Sequence, residues 1–196
     1  MACGLQAGQY AKATTGAIVF PGQITARNGG SITSPYGRNF ANWSRPVLIE
    51  FAVHPDLGNN VVNGAIWQAI WGRANADAAA PATILDSDEI MGVEFVSTTA
   101  GVVDVYGLGS NGSHATTTAK LCTISTGGYS TIQLYSDGNG NLTVTVNGTS
   151  YQAPNILPAA KIVQFGAKWS FETLNSGAAD SPYYYFYWSD TDISFQ

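Results

Sequence analysis

Two glutamates, Glu89 and Glu94, stand in the run DEIMGVEF (88–95), which is otherwise largely apolar. Two carboxyl groups about 5–5.5 Å apart are the working parts of a retaining glycosidase, one serving as nucleophile and the other as acid and base. An ordinary strand carrying two acids reads the same way. Strict alternation along a strand sends residues five apart to opposite faces. A shared face therefore requires a β-bulge, and Gly92 is the position that would accept one. Catalysis by Glu89 and Glu94 is the alternative reading of this chain, not the leading one.

Aromatic side chains offer a second kind of chemistry. In GAIWQAIWGR (64–73), Trp67, Ala69, Trp71 and Arg73 fall on one face of a strand and Ile66, Gln68 and Ile70 on the other. Such tryptophans either stack on the C–H surface of a pyranose or fill the core between two sheets. In SPYYYFYWSD, Tyr183, Tyr185 and Tyr187 alternate with Tyr184, Phe186 and Trp188. The second set reads as core. The tyrosine stripe suits a glycan, a protein interface or packing against a neighbouring strand. Trp67, Trp71, Arg73, Tyr183, Tyr185 and Tyr187 are thus the candidate ligand-binding residues.

Other chemistries find little support. DGNGN (137–141) and LDSDE (85–89) carry oxygen ligands of the kind Ca2+ takes, but DGNGN lacks the further acids of a dedicated loop. Asp, Asn and Gly in that order are also what a tight turn demands, so no cofactor is expected. His54 precedes Pro55, and His114 lies in NGSHATTT. Neither is set in a nucleophile–base motif, and no phosphate-cradling glycine loop is visible.

Composition sets the frame. Of the 196 residues only 11% are charged, and eight Lys and Arg leave a net charge of −5 with a pI near 4.7. That disfavours a nucleic-acid backbone or an anionic membrane surface as partner. Cys3 and Cys122 do not form a metal-binding spacing and read as buried free thiols. The start, MACGLQAGQYAKATT, lacks the basic and apolar regions of a signal peptide. No apolar run approaches the roughly 20 residues that span a bilayer. Sequons at Asn42, Asn111, Asn141 and Asn147 read as turn chemistry.

The elements that must position these residues are strands. In RPVLIEFAVHP, Val47, Ile49, Phe51 and Val53 share one face. STIQLYSDGNGN and NLTVTVNGTSYQ form a hairpin through Asp137–Asn141. Further strands fit 16–20, 64–72, 90–97, 101–108, 160–171 and the aromatic tail, with PGQ, NGG, TTAG, GSNGS and TGG as turns. ANADAAAP (74–81) is the one helix candidate, and its length and proline favour a loop. The expected fold is all-β, a two-sheet antiparallel sandwich of jelly-roll type. It forms one domain, with residues 41–196 as the jelly roll and 1–40 packing on it or on a neighbour.

TIQLYSDGNGNLTVTVNGTSYQ and the closing WSFETLNSGAADSPYYYFYWSDTDISF resemble the concanavalin A-like jelly-roll group. That group takes in legume-type lectins, laminin-G-like modules, laminarinase-type glycosidases and several polysaccharide lyases. WQAIW (67–71) followed by EIMGVE (89–94) is similar to the family 16 glycoside hydrolase pattern, with Met91 where that family has an aspartate. The lyase branch implies a Gln-x-His strand; here Gln68 is kept and Ile70 replaces the histidine. Together these features lead to a non-catalytic jelly-roll module for surface recognition or assembly. Low charge and the lack of a leader point to a virion surface, as in a phage head-decoration or fibre protein. It would be a homo-oligomer contacting a glycan or neighbouring protein subunits. The alternative is a laminarinase-like retaining hydrolase.

Overall fold

A computed structural model describes the backbone of residues 17–21, 28–33, 40–56, 65–73, 86, 88–99, 101–159, 162–164, 166–173, 183–188 and 192–195, and the side chains of 43–55, 68–72, 86, 88–98 and 101–159. The strands are β1 (Ala17–Pro21), β2 (Asn28–Thr33), β3 (Phe40–Asn42), β4 (Val47–Asp56), β5 (Ala65–Arg73), β6 (Glu89–Thr99), β7 (Val102–Asn111) and β8 (Ala115–Thr117). They continue with β9 (Cys122–Ser125), β10 (Ser130–Ser136), β11 (Leu142–Val146), β12 (Thr149–Ala153), β13 (Ile162–Gln164), β14 (Gly166–Thr173), β15 (Tyr183–Trp188) and β16 (Asp192–Phe195). The fold is all-β, and no helix occurs among the described residues. The segment 74–81 and Cys3 lie outside them.

Two antiparallel sheets make the sandwich. The first runs β1-β15-β4-β10-β11-β12, with β16 also on β4. The second runs β2-β14-β5-β6-β7-β8, with β9 also on β7. The small pair β13-β3 stands apart. β1 and β2, both within residues 1–40, pair with β15 and β14 and so belong to the two main sheets.

Alternation decides which face of each strand is buried. Val47, Ile49, Phe51 and Val53 of β4, Ile132 and Leu134 of β10, and Leu142, Val144 and Val146 of β11 enter one core cluster. From the other sheet come Ala69 and Trp71 of β5, Met91, Val93 and Phe95 of β6, and Val103 and Val105 of β7. Each large aliphatic side chain sealed in this way contributes about 1.5–3 kcal/mol. The hairpin β10–β11 pairs Ile132 with Val146 and Ser136 with Leu142, as alternation requires.

The sequence-based elements differ in several places: β3, β8 and β9 are additional, and Gly109, Ser110 and Asn111 of GSNGS lie inside β7. NGG (28–30) lies inside β2 rather than in a turn. NLTVTVNGTSYQ is two strands, broken where Asn147 and Gly148 take φ of 49° and 83°. The run 160–171 is divided between β13 and β14, which sit in different sheets.

Candidate functional site

The pairing of β6 answers whether the two glutamates share a face. β6 is in continuous register with β5 from Arg73↔Glu89 to Ala65↔Ser97. Its register with β7 shifts only between Ser97 and Thr99. No bulge occurs at Gly92. Glu89 therefore falls in step with the core residues Met91, Val93 and Phe95, and Glu94 falls in step with Ile90 and Gly92 on the opposite face. A carboxyl pair for retaining hydrolysis is not formed, and the expectation built on Glu89 and Glu94 as partners is corrected by strand parity.

Gly92 has a different use. A Cβ there would lie 2.5 Å from the Ala69 carbonyl oxygen and 2.7 Å from Ile70 Cγ2. Glycine lets Ile70 lie across β6 on the outer side of the sheet. There Ile70, Ile90 and Leu108 form a second apolar cluster, 7%, 1% and 0% exposed. The outer side of this sheet is thus dry at one level.

Beside that cluster runs a polar ladder. Gln68, Glu94 and Tyr106 are successive cross-strand partners on β5, β6 and β7. The Gln68 Nε2 donates to Glu94 Oε2 at 2.7 Å. Gln68 is buried and Glu94 half-buried. Desolvation pushes the Glu94 carboxyl above its ordinary value, and the Gln68 hydrogen bond pulls it only part of the way back. Two residues before Tyr106 on the same face of β7, buried Asp104 accepts from Thr98 Oγ1 at 3.2 Å. Asp104 also holds the half-exposed Lys120 ammonium, Nζ to Oδ1 3.6 Å. The face offers a basic carboxylate, a phenol, an amide and a cation.

The ligand-binding candidates divide. Trp71 is 1% exposed and packs in the core against Phe51, ring centroids 5.2 Å apart. That is the core alternative rather than a sugar platform, because odd positions of β5 face the other sheet. Trp67 and Arg73 hold the backbone register positions opposite Phe95 and Glu89. Tyr183, Tyr185 and Tyr187 pair with Pro21, Val19 and Ala17, and Tyr185 and Tyr187 also with Asp56 and His54. The side chains of these five residues lie outside the described ones.

The remaining polar motifs serve turns. Asp137 Oδ1 accepts from the backbone N–H of Asn139 and Asn141 at 2.8 and 3.1 Å, and Oδ2 from Asn141 Nδ2 at 2.7 Å. Desolvation works to raise the Asp137 carboxyl, but these bonds outweigh it and hold it below its usual range. Asp86 of LDSDE accepts from the Ala115 N–H at 2.7 Å. Among the described residues no three His, Cys, Asp or Glu gather as metal ligands. The sequon residues Asn111, Asn141 and Asn147 all bond within or between turns. The His54 ring meets the Thr126 carbonyl at 2.8 Å, on the first sheet and away from the ladder.

Sequence reasoning singled out Gln68 and Glu94 but not Tyr106, Asp104 or Lys120. The alternation in GVVDVYGL, with Asp104 and Tyr106 on the non-core side, was the available signal for two of these.

No family model and no curated protein matches the sequence. Solved structures do match in fold. Alginate lyase A1-II′, a member of polysaccharide lyase family 7, superposes with a TM-score of 0.60 at 13% identity, covering 97% of this chain and 85% of that one. A form of that enzyme in complex with substrate gives 0.61 at 13% identity, with 97% and 83% covered. The alginate lyase of Alteromonas sp. 272 gives 0.53 at 13% identity, covering 97% and 91%. The chain shares their jelly-roll sandwich. These neighbours correct the expected function, for they are polysaccharide lyases, neither virion decoration or fibre proteins nor laminarinases.

Proposed function

We propose that this chain cleaves a uronate-containing polysaccharide of the alginate type by β-elimination on the outer face of the second sheet. The observation that carries the reading is Glu94, a desolvated carboxylate gripped by Gln68 on the outer face of β6. The alginate lyases sharing this fold support the choice of substrate class.

In β-elimination a base removes the proton on C5 of the uronate ring. The released electron pair becomes the C4–C5 double bond, the C4–O glycosidic bond breaks, and the departing oxygen takes up a proton. A carboxylate made more basic by burial suits the first step. Tyr106, beside Glu94 in the ladder, is the proton donor to the leaving oxygen. Lys120, held at the face by Asp104, and the Gln68 amide are the groups that offset the substrate carboxylate. Ile70 stands where the Gln-x-His pattern has its histidine, so Glu94 takes the base role in this chain.

The test is ultraviolet absorbance of the new C4–C5 double bond during incubation with alginate and other polyuronates. Product formation that disappears in Glu94→Gln and falls strongly in Tyr106→Phe is expected. A chain that leaves every polyuronate intact, or a Glu94→Gln variant that cleaves as fast as the parent, overturns the reading.

A further inference from the structure

The described residues also border a pocket, open to solvent, that takes no part in the ladder. It has a volume of about 360 Å³ and is lined by Asn111, Ser113, Asn139, Asn155, Leu157 and Ala159, with Gly140 completing the wall. That volume falls in the range of roughly 300–1,000 Å³ usual for small-molecule sites. Its walls come from both sheets: Asn111 ends β7, Asn139 and Gly140 belong to the β10–β11 turn, and Asn155 follows β12.

Hydrogen bonds hold these walls in place. Asn111 Oδ1 accepts from the backbone N–H groups of Ser113 and His114, each at 2.9 Å. The Leu157 N–H donates to the Gly140 carbonyl at 2.9 Å, and the Asn155 N–H to Asn141 Oδ1 at 3.1 Å. Asn155 itself sits at φ 60°, a left-handed conformation uncommon for a residue with a side chain. At Gly140, φ is 91° and a Cβ would stand 3.1 Å from the Leu157 carbonyl oxygen, so the turn comes close to the 154–159 segment without a side chain between them. The Asn139 amide nitrogen lies 3.5 Å from the Asp137 carbonyl oxygen.

Among the described residues the lining is amide and hydroxyl together with the apolar Leu157 and Ala159, and none of these is charged. With its oxygen committed, Asn111 presents its NH2 group; Asn155 brings both a donor and an acceptor, and Ser113 a hydroxyl. Donors and acceptors on hydrogen-bonded turns suit the vicinal hydroxyls of an uncharged sugar ring, and Leu157 and Ala159 suit its C–H surface. An anionic sugar would find no countercharge among these lining residues. We infer that this pocket is a binding site for a single neutral pyranose unit, separate from the ladder where cleavage is proposed.

The experiment is a titration of the full chain with methyl glycosides of glucose, galactose and mannose, followed through the side-chain amide NMR signals. Methyl glycosides of this kind carry no uronate linkage, so the readout does not depend on cleavage. Saturable shifts of the Asn111, Asn139 and Asn155 amides by at least one glycoside are expected. Asn155→Gly, which keeps the left-handed backbone at little cost, is expected to weaken that binding about tenfold or more, and Ser113→Ala severalfold. Both variants should retain the parent amide spectrum elsewhere. Absence of saturable shifts with all three glycosides overturns the inference. So do shifts confined to other residues, unchanged affinity in both variants, or equal affinity for methyl glucuronide.

Discussion

The outer faces of the two sheets carry the same pair of side chains in different surroundings. On the second sheet Gln68 on β5 donates to Glu94 on β6 at 2.7 Å. On the first sheet Gln133 on β10 donates to Glu50 on β4 at 2.6 Å. Both are direct cross-strand partners. Around Glu94 lie the buried Ile70, Ile90 and Leu108, and Gln68 is itself 6% exposed. Around Glu50 lie Leu48, Ala52, Thr131, Tyr135 and Thr145, each exposed or half-buried. A hydrogen-bonded carboxylate is not in itself a catalyst; loss of water from its surroundings makes it a base. On the second sheet, burial does this for Glu94.

Removing each carboxylate in turn is the strongest way to break this comparison. Glu94→Gln is expected to lower the rate of unsaturated-product formation by about 10²–10⁴-fold, the usual contribution of a positioned general base. Glu50→Gln should leave the rate within about twofold. Initial rates on alginate, measured side by side, check both. Equal losses would show that the pairs act through fold stability and that desolvation is irrelevant.

The next effect tests how the dry patch is built. A side chain at Gly92 would collide with the Ala69 carbonyl and with Ile70, and overpacking of this kind costs about 1–3 kcal/mol. Gly92→Ala should therefore lower the midpoint of thermal unfolding and displace Ile70 from the face beside Glu94. At Gly128 a Cβ would meet nothing within 4 Å, so Gly128→Ala is expected to change stability by no more than about 0.5 kcal/mol. Calorimetry on both variants separates the two.

Much of the scaffold could be read from the sequence, and the site only in part. β4, β10 and β11 were legible because large apolar residues recur at every second position, Val47 to Val53, Ile132 to Leu134 and Leu142 to Val146. β12 was not, since the polar run after Asn147-Gly148 carries little alternation and only Ala153 of that strand is buried. β2 was hidden by its glycines, which read as a turn until β14 is laid beside them. Glu94 and Gln68 could be singled out one strand at a time. Their union with Tyr106 depends on the register of three strands, which local sequence does not encode. Lys120 reaches the face only because the chain from 118 to 122 hydrogen-bonds back along β7.

A smaller effect follows from the protonation of Glu94. Its carboxyl is raised above 4.5 in the folded chain, so in the window between 4.5 and that raised value the folded state holds a proton that the unfolded state has released. Stability from this group is thus fully present below the unfolded value and falls as pH rises through the window. Glu94→Gln should flatten that part of the stability–pH curve, as followed by urea unfolding at stepped pH.

The smallest predicted difference separates the two amides. Gln133→Ala removes a bond between half-buried side chains and should cost no more than about 1 kcal/mol, because water replaces the lost donor. Gln68→Ala removes the hydrogen bond that lowers the Glu94 carboxyl against desolvation. Without it desolvation acts unopposed, the carboxyl rises further, and ionised base appears only at higher pH. The acid limb of the rate–pH profile should therefore move upward in Gln68→Ala and stay in place in Gln133→Ala. A downward move would mean that water enters when the amide leaves, and that the face is dry because Gln68 seals it.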